Sequence, residues 1–256
     1  MKIYKLRKGI LLEEANQFYL LEQTNWDSFI NRDNLYDELV KTVKQTTPIT
    51  QAQTYLEKEL VAPIGSQEVW AAGVTYMRSK VARQEESKEA GGGDFYDRVY
   101  DAPRPEIFFK ATPHRVVGSG QGVNIRKDST WNVPEPELTL VITSSGKIVG
   151  YTVGNDMSSR SIEGENPLYL PQAKTYDKSC GIGPCIYVAK ELLPRTAGIN
   201  MEIKRAGKSV FKGDITLANM KRKEEELVEN YISDLSPTEQ EQILGKTAQQ
   251  FYGLKP

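Results

Sequence analysis

The 256-residue chain is poor in the residues that announce several common chemistries: it has one histidine and two cysteines. Cys180 and Cys185 flank Gly-Ile-Gly-Pro, which is neither a zinc pair nor a disulfide framework. His114 lies in an Ala-Thr-Pro-His-Arg loop, and a neutral imidazole without a positioned partner makes a poor general base. Excess charge is lacking too. With 33 Lys+Arg against 34 Asp+Glu the net charge is −1, and no dense basic face interleaved with aromatics appears, which argues against a nucleic-acid partner. No apolar run approaches the roughly 20 residues of a membrane span, and the first residues, MKIYKLRKG, lack the apolar centre of a secretion signal. The sequence therefore predicts a soluble protein in a reducing, cytoplasmic setting with no membrane partner. Its length suits one large domain, or a small one beside a main one.

The chemistry gathers in Glu135–Lys174. Leu138–Ile142 and Ile148–Val153 are β-rich and apolar, separated by the turn residues Ser144-Ser145-Gly146-Lys147, which predicts a hairpin. Side chains two apart in a strand share a face, so Glu135 and Glu137 point the same way. Folding about Ser145-Gly146 pairs each position with the one that brings the two numbers to 291, so Glu135 faces Asp156. Three converging carboxylates repel unless a positive charge stands among them. An all-oxygen set without Cys or His suits Mg²⁺, Mn²⁺ or Ca²⁺. The alternative is three solvated acids at a strand mouth, with Asp156 capping a turn; a one-residue slip of register would decide for it.

Elsewhere, residues 1–64 read as a small module, with strands over Met1–Leu6 and Gly9–Leu12 and a helix over Phe29–Val43. Pro63-Ile64-Gly65-Ser66 marks a boundary. Met77–Glu89 is dense in charge and reads as an exposed helix ended by Gly91-Gly92-Gly93; Arg78–Tyr100 is a candidate lid, with an ordinary surface helix and loop as the alternative. If Glu106–Lys110 is extended, Glu106, Phe108 and Lys110 share a face. Gly181–Pro184 reads as a tight turn, Asn200–Arg205 and Ser209–Gly213 as a second hairpin about Ala206-Gly207, and Leu217–Glu229 as a helix. Ser236-Pro237-Thr238-Glu239 is a capping box opening a last helix.

The Glu-x-Glu of Glu135 and Glu137, followed by GYTVGNDMSSR, NPLYLPQAK and GIGP, resembles the signature of the fumarylacetoacetate hydrolase superfamily. Upstream, Gly73–Tyr76 (GVTY), Pro105–Gly118 (PEIFFKATPHRVVG) and Trp131–Leu138 (WNVPEPEL) fit the same order, so the likeness spans about residues 65–225. The PEIFFK version is most similar to the 2-keto-3-deoxy-D-arabinonate dehydratase branch. The resemblance implies an α+β, mainly β fold: a mixed β-sandwich roll over residues 65–230, with the small α+β module before it. It implies a divalent metal, usually Mg²⁺, on Glu135, Glu137 and Asp156, Lys174 in the active site, Lys110 in the pocket, Glu106 as an acid/base, and a homodimer. Arg78, Ser79, Asn155 and Gln172 are the further candidates for contact with substrate.

Two departures stand out. Hydrolytic relatives place a histidine as Tyr-x-x-His, whereas here Ser79 follows Tyr76-Met77-Arg78. Residues 231–256 resemble the closing helix of amidohydrolases, where the resemblance calls for further strands of the roll. The expected function is Mg²⁺-dependent dehydration of a 2-keto-3-deoxy sugar acid through a metal-stabilised enolate, with Lys174 taking the C3 proton and Glu106 protonating the departing C4 hydroxyl, or those two roles exchanged. Hydrolysis of a carbon–carbon bond in an acylpyruvate or 2,4-diketo acid is the alternative, and a catalytically inactive, truncated homologue the third.

Overall fold

The structure, a computed structural model, describes residues 1–23, 25–77 and 98–224, together with 226 and 228. Short apolar runs interrupted by turn residues write the first three strands: β1 (Lys2–Leu6), β2 (Gly9–Glu14) and β3 (Gln17–Leu21). They form an antiparallel meander. Its second turn, Ala15-Asn16, has both residues at positive φ (49° and 61°), the twist that a two-residue hairpin loop needs.

Three helices follow: α1 (Trp26–Ile30), α2 (Leu35–Gln45) and α3 (Ala52–Lys58). The single helix expected over Phe29–Val43 is thus broken. Its break, residues 31–34, carries Asn31 and Asp33, whose side chains are engaged by the distant turn at residues 143–147. Asn31 accepts from the Ser144 backbone N–H (2.8 Å), and Asp33 accepts from the Thr143 and Ser145 hydroxyls (2.7 Å each). Short polar side chains bonded this way compete with helix continuation.

The next elements are a two-stranded ribbon, β4 (Val69–Gly73) with β5 (Glu106–Ala111), and a short strand β6 (Val116–Val117). The long hairpin is β7 (Asn132–Ile142) with β8 (Ile148–Ser159). After it come α4 (Arg160–Glu165), α5 (Leu170–Lys174) and β9 (Cys180–Tyr187). The second hairpin is β10 (Gly198–Arg205) with β11 (Lys208–Thr216), turning at Ala206-Gly207 as expected.

One seven-stranded sheet dominates, in the order β3-β2-β1-β9-β8-β7, with β6 parallel beside β9. The α+β, mainly β class expected from sequence holds. Residue 64 is not a gap in this sheet, because β1 pairs with β9. The main apolar cluster also crosses that line: Ile3, Leu12, Trp26 and Leu39 pack with Val149, Ile186 and Val188. Burying Leu or Ile stabilises by about 1.5–3 kcal/mol apiece, so the first 64 residues share one core with the rest.

Two other expectations are corrected. Gly181–Pro184 is no turn but part of β9, where Cys180, Ile182 and Ile186 are buried and Asp156 pairs with Cys180. The helix expected over Leu217–Glu229 does not begin at Leu217, where a 3₁₀ turn, Leu217–Asn219, stands; among the described residues of that range, 224, 226 and 228 are helical. The chain then bridges Met220 to Tyr76, and Lys221 donates its backbone N–H to Thr75 (3.2 Å), bonds that an uninterrupted helix could not make. Residues 78–97 of the candidate lid and residues 231–256 of the tail lie outside the described residues, as do Arg78 and Ser79. Among the described residues no helix is long and apolar enough to cross a membrane.

Candidate metal centre and active site

The β7–β8 register is the one that the turn chemistry predicts: Glu135 pairs with Asp156, Glu137 with Gly154, and Leu140 with Tyr151. A shift occurs only near the turn, between Val141 and Ile142. Ligand oxygens of Glu135, Glu137 and Asp156 accordingly lie within 4.8 Å of one another. Gly154 helps to seat them, since a Cβ there would meet Thr139 Oγ1 at 2.3 Å. Burial, and then the carboxylates of Asp156 and Glu135, push the Glu137 carboxyl up to about 8. Three oxygen donors this close, one of them reluctant to ionise, fit a hard divalent cation with bonds of about 2.0–2.6 Å.

Two buried lysines hold Asp156, and one of them also holds Glu135. Lys174, at the end of α5, donates to Glu135 Oε2 (2.8 Å), Asp156 Oδ2 (2.8 Å) and Ser158 Oγ (2.5 Å). Lys110, on β5, lies 2.6 Å from Asp156 Oδ1 and donates to the backbone oxygens of Met157 (2.9 Å) and Lys174 (2.6 Å). Burial lowers the Lys110 ammonium's affinity for its proton, against the attraction of Asp156. Arg160, at the start of α4, pairs with Glu135 and, at 2.9 Å, with the buried Glu163.

The expected site residues are therefore not equivalent. Glu135, Glu137, Asp156 and Lys174 come together. Glu106 shares the β5 face with Phe108, whose ring lies 5.6 Å from the Lys174 ammonium. Its Oε2 is buried without a hydrogen-bond partner among the described residues, against Gly73, where a Cβ would stand only 2.2 Å away. Lys110 is 1% exposed, with its ammonium on two backbone oxygens and beside Asp156 Oδ1. Asn155 pairs with Pro136 and so occupies the opposite face of β8 from the trio, because neighbours along a strand alternate. Gln172 is exposed on α5, and its backbone oxygen accepts from Arg126 (3.2 Å).

Three contributors escaped the sequence reading. Ser158 was within reach of it, two residues after Asp156 on the same face. The Arg160–Glu163 pair has helical i,i+3 spacing but no signal of its burial. Tyr76 has its phenol pushed up to about 12 by burial, then by Glu137 and Glu224. Val74, two residues before it, is buried at φ 50°, a costly conformation for a β-branched residue.

Residues 69–245 match the family described as fumarylacetoacetate (FAA) hydrolase, C-terminal. The chain belongs to that family. A probable 2-keto-3-deoxyxylonate dehydratase of Haloferax volcanii is 50% identical over 175 residues, covering 68% of this chain and 59% of the relative. A 2-dehydro-3-deoxy-D-arabinonate dehydratase of Saccharolobus solfataricus is 45% identical over 177 residues, again 59% of its length. The chain thus spans about three-fifths of the curated relatives it matches. Among solved structures, 2-keto-3-deoxy-D-arabinonate dehydratase complexed with magnesium and 2,5-dioxopentanoate aligns with a TM-score of 0.72 at 33% identity, over 91% of this chain and 82% of that one.

Proposed function

We propose that this member of the FAA hydrolase family is a Mg²⁺-dependent dehydratase of a 2-keto-3-deoxy sugar acid. The observation that carries the reading is the acid trio assembled across the β7–β8 ladder with the Lys174 ammonium at its edge. Relatives named as dehydratases of such acids, one structure of them holding magnesium and a 2-keto acid, support the choice of substrate class. Glu135, Glu137 and Asp156 would hold the ion. When bound, Mg²⁺ would supply Lewis acidity to the substrate's carboxylate and C2 carbonyl.

The protein's own groups divide the proton work by their hydrogen-bond inventory. Lys174 faces three acceptors, which asks for three N–H groups and hence the ammonium form. Glu106 presents a carboxylate oxygen with no donor on it among the described residues. Of the two assignments left open by the sequence, this favours Glu106 as the group that takes the C3 proton and Lys174 as the donor to the departing C4 hydroxyl. Arg160 fixes Glu135 from the far side, and Ser158 holds Lys174 in line. A homodimer in a cytoplasmic setting is adopted with this reading from the family resemblance.

Carbon–carbon bond hydrolysis is less well supported. His114 is exposed and bonded only to Thr112 Oγ1 (3.0 Å) among the described residues, so no imidazole stands ready to activate water. The test is to incubate the protein and Mg²⁺ with a 2-keto-3-deoxypentonate and, separately, with an acylpyruvate. Loss of water from the first supports dehydration; pyruvate release from the second supports hydrolysis; a folded protein silent on both overturns the enzymatic reading.

A further inference from the structure

The two lysines at the acid trio are held in different ways. All three acceptors of Lys174 are side-chain oxygens, and two of these belong to the trio itself. An ammonium so placed can swing aside when its carboxylates are engaged by another cation. Lys110 cannot. Two of its acceptors are the backbone oxygens of Met157 and Lys174, fixed by β8 and α5. It also forms an ion pair with Asp156 Oδ1 at 2.6 Å, with the two side chains only 1% and 5% exposed. A buried carboxylate this close favours the charged form of the amine.

Positive charge is already built in around the trio. Lys110 and Lys174 pair with its carboxylates, and so does Arg160, which is shared with Glu163. A divalent ion entering this cluster meets fixed positive charge in a partly desolvated site, where Coulomb energies are several times those in water.

We propose that Lys110 is a permanent internal cation of the acid site, which holds the inner oxygen of Asp156 whether or not metal is bound. It keeps the site folded when metal-free and at the same time weakens the grip on the exchangeable ion. This rests on the reading that the trio takes Mg²⁺. Removing the ammonium leaves Asp156 buried with one fewer counter-charge. The metal-free protein then loses stability, whereas the metal-loaded protein recovers it.

The test compares wild type, Lys110→Met and the charge-retaining Lys110→Arg by Mg²⁺ titration calorimetry and by thermal unfolding in chelator and in excess Mg²⁺. For Lys110→Met the expected results are a Mg²⁺ dissociation constant about tenfold lower than wild type and a larger Mg²⁺-induced rise in Tm. Lys110→Arg should stay within about threefold of wild type. If Lys110→Met does not fold without metal, refolding from urea is followed as Mg²⁺ is raised; folding that appears only with Mg²⁺ supports the proposal, and none at any concentration overturns it. Equal Tm losses with and without Mg²⁺, or a weaker Mg²⁺ affinity, also overturn it. Wild type that binds no Mg²⁺ would sink the functional reading and this inference together. Wild type that binds, with no tightening in Lys110→Met, sinks this inference alone.

Discussion

Glu135 and Asp156 stand directly opposite each other on the β7–β8 ladder, and the Lys174 ammonium bridges them at 2.8 Å to each. One cation, placed by a short helix, thus reads the register of two strands. The acid face of the hairpin, its lysine and any metal are energetically one unit, so changes at any of them should be felt at the others.

Glu137 should make metal binding depend on pH. Its carboxyl is raised from 4.5 to about 8. A folded value above the unfolded one means that the stability this group contributes is fully present below about 4.5 and lost as pH rises through about 8. Metal-free protein should therefore lose stability over that window, and Mg²⁺ affinity should climb across it as the competing proton leaves. Glu137→Gln should flatten both profiles and cost more than the roughly 10–100-fold in Mg²⁺ affinity typical of an outer-shell partner. Calorimetry at several pH values reads all of this.

The division of labour between Glu106 and Lys174 can be separated by isotope exchange. In D₂O with a 2-keto-3-deoxypentonate and Mg²⁺, Glu106→Gln should abolish deuterium uptake at C3. Lys174→Met should keep that uptake while losing water elimination, each by about 10²–10⁴-fold. The reverse pattern would exchange the two roles.

Asp33 should act as a clip on the hairpin turn. The hydroxyls of Ser145 and then Thr143 hold its carboxyl below the usual aspartate value, so its contribution is present above about 3.8 and fades as pH falls below it. The group is exposed, so Asp33→Ala should cost only about 1 kcal/mol in urea unfolding near neutral pH.

Residues 1–64 should not be removable. Ile186, fully buried on β9, packs in the same cluster as Ile3, Leu12 and Leu39. Ile186→Ala should cost about 2–5 kcal/mol, and a chain starting at residue 65 should aggregate rather than yield a trimmed domain. A soluble, cooperatively unfolding fragment would contradict the shared core.

Much of the site was legible because its cause is local. The two-residue period of a strand puts Glu135 and Glu137 on one face, and Ser144-Ser145-Gly146-Lys147 closes the hairpin in the register that brings Asp156 opposite. The same parity sends Asn155 to the other face and aligns Ser158 with Asp156. Other misreadings came from contacts made far away. The helix break at residues 31–34 answers to the turn at 143–147, and Gly181–Pro184 is strand because it pairs with β8.

What local pattern settles here is which acids converge and on which side of a strand, since side-chain alternation and turn chemistry need only neighbouring residues. What it leaves open is which cations meet those acids and which are spent on them. Lys110 looks like any strand-end lysine until β5 is laid against β8 and α5. Only that packing removes it from water and supplies two backbone oxygens and one carboxylate.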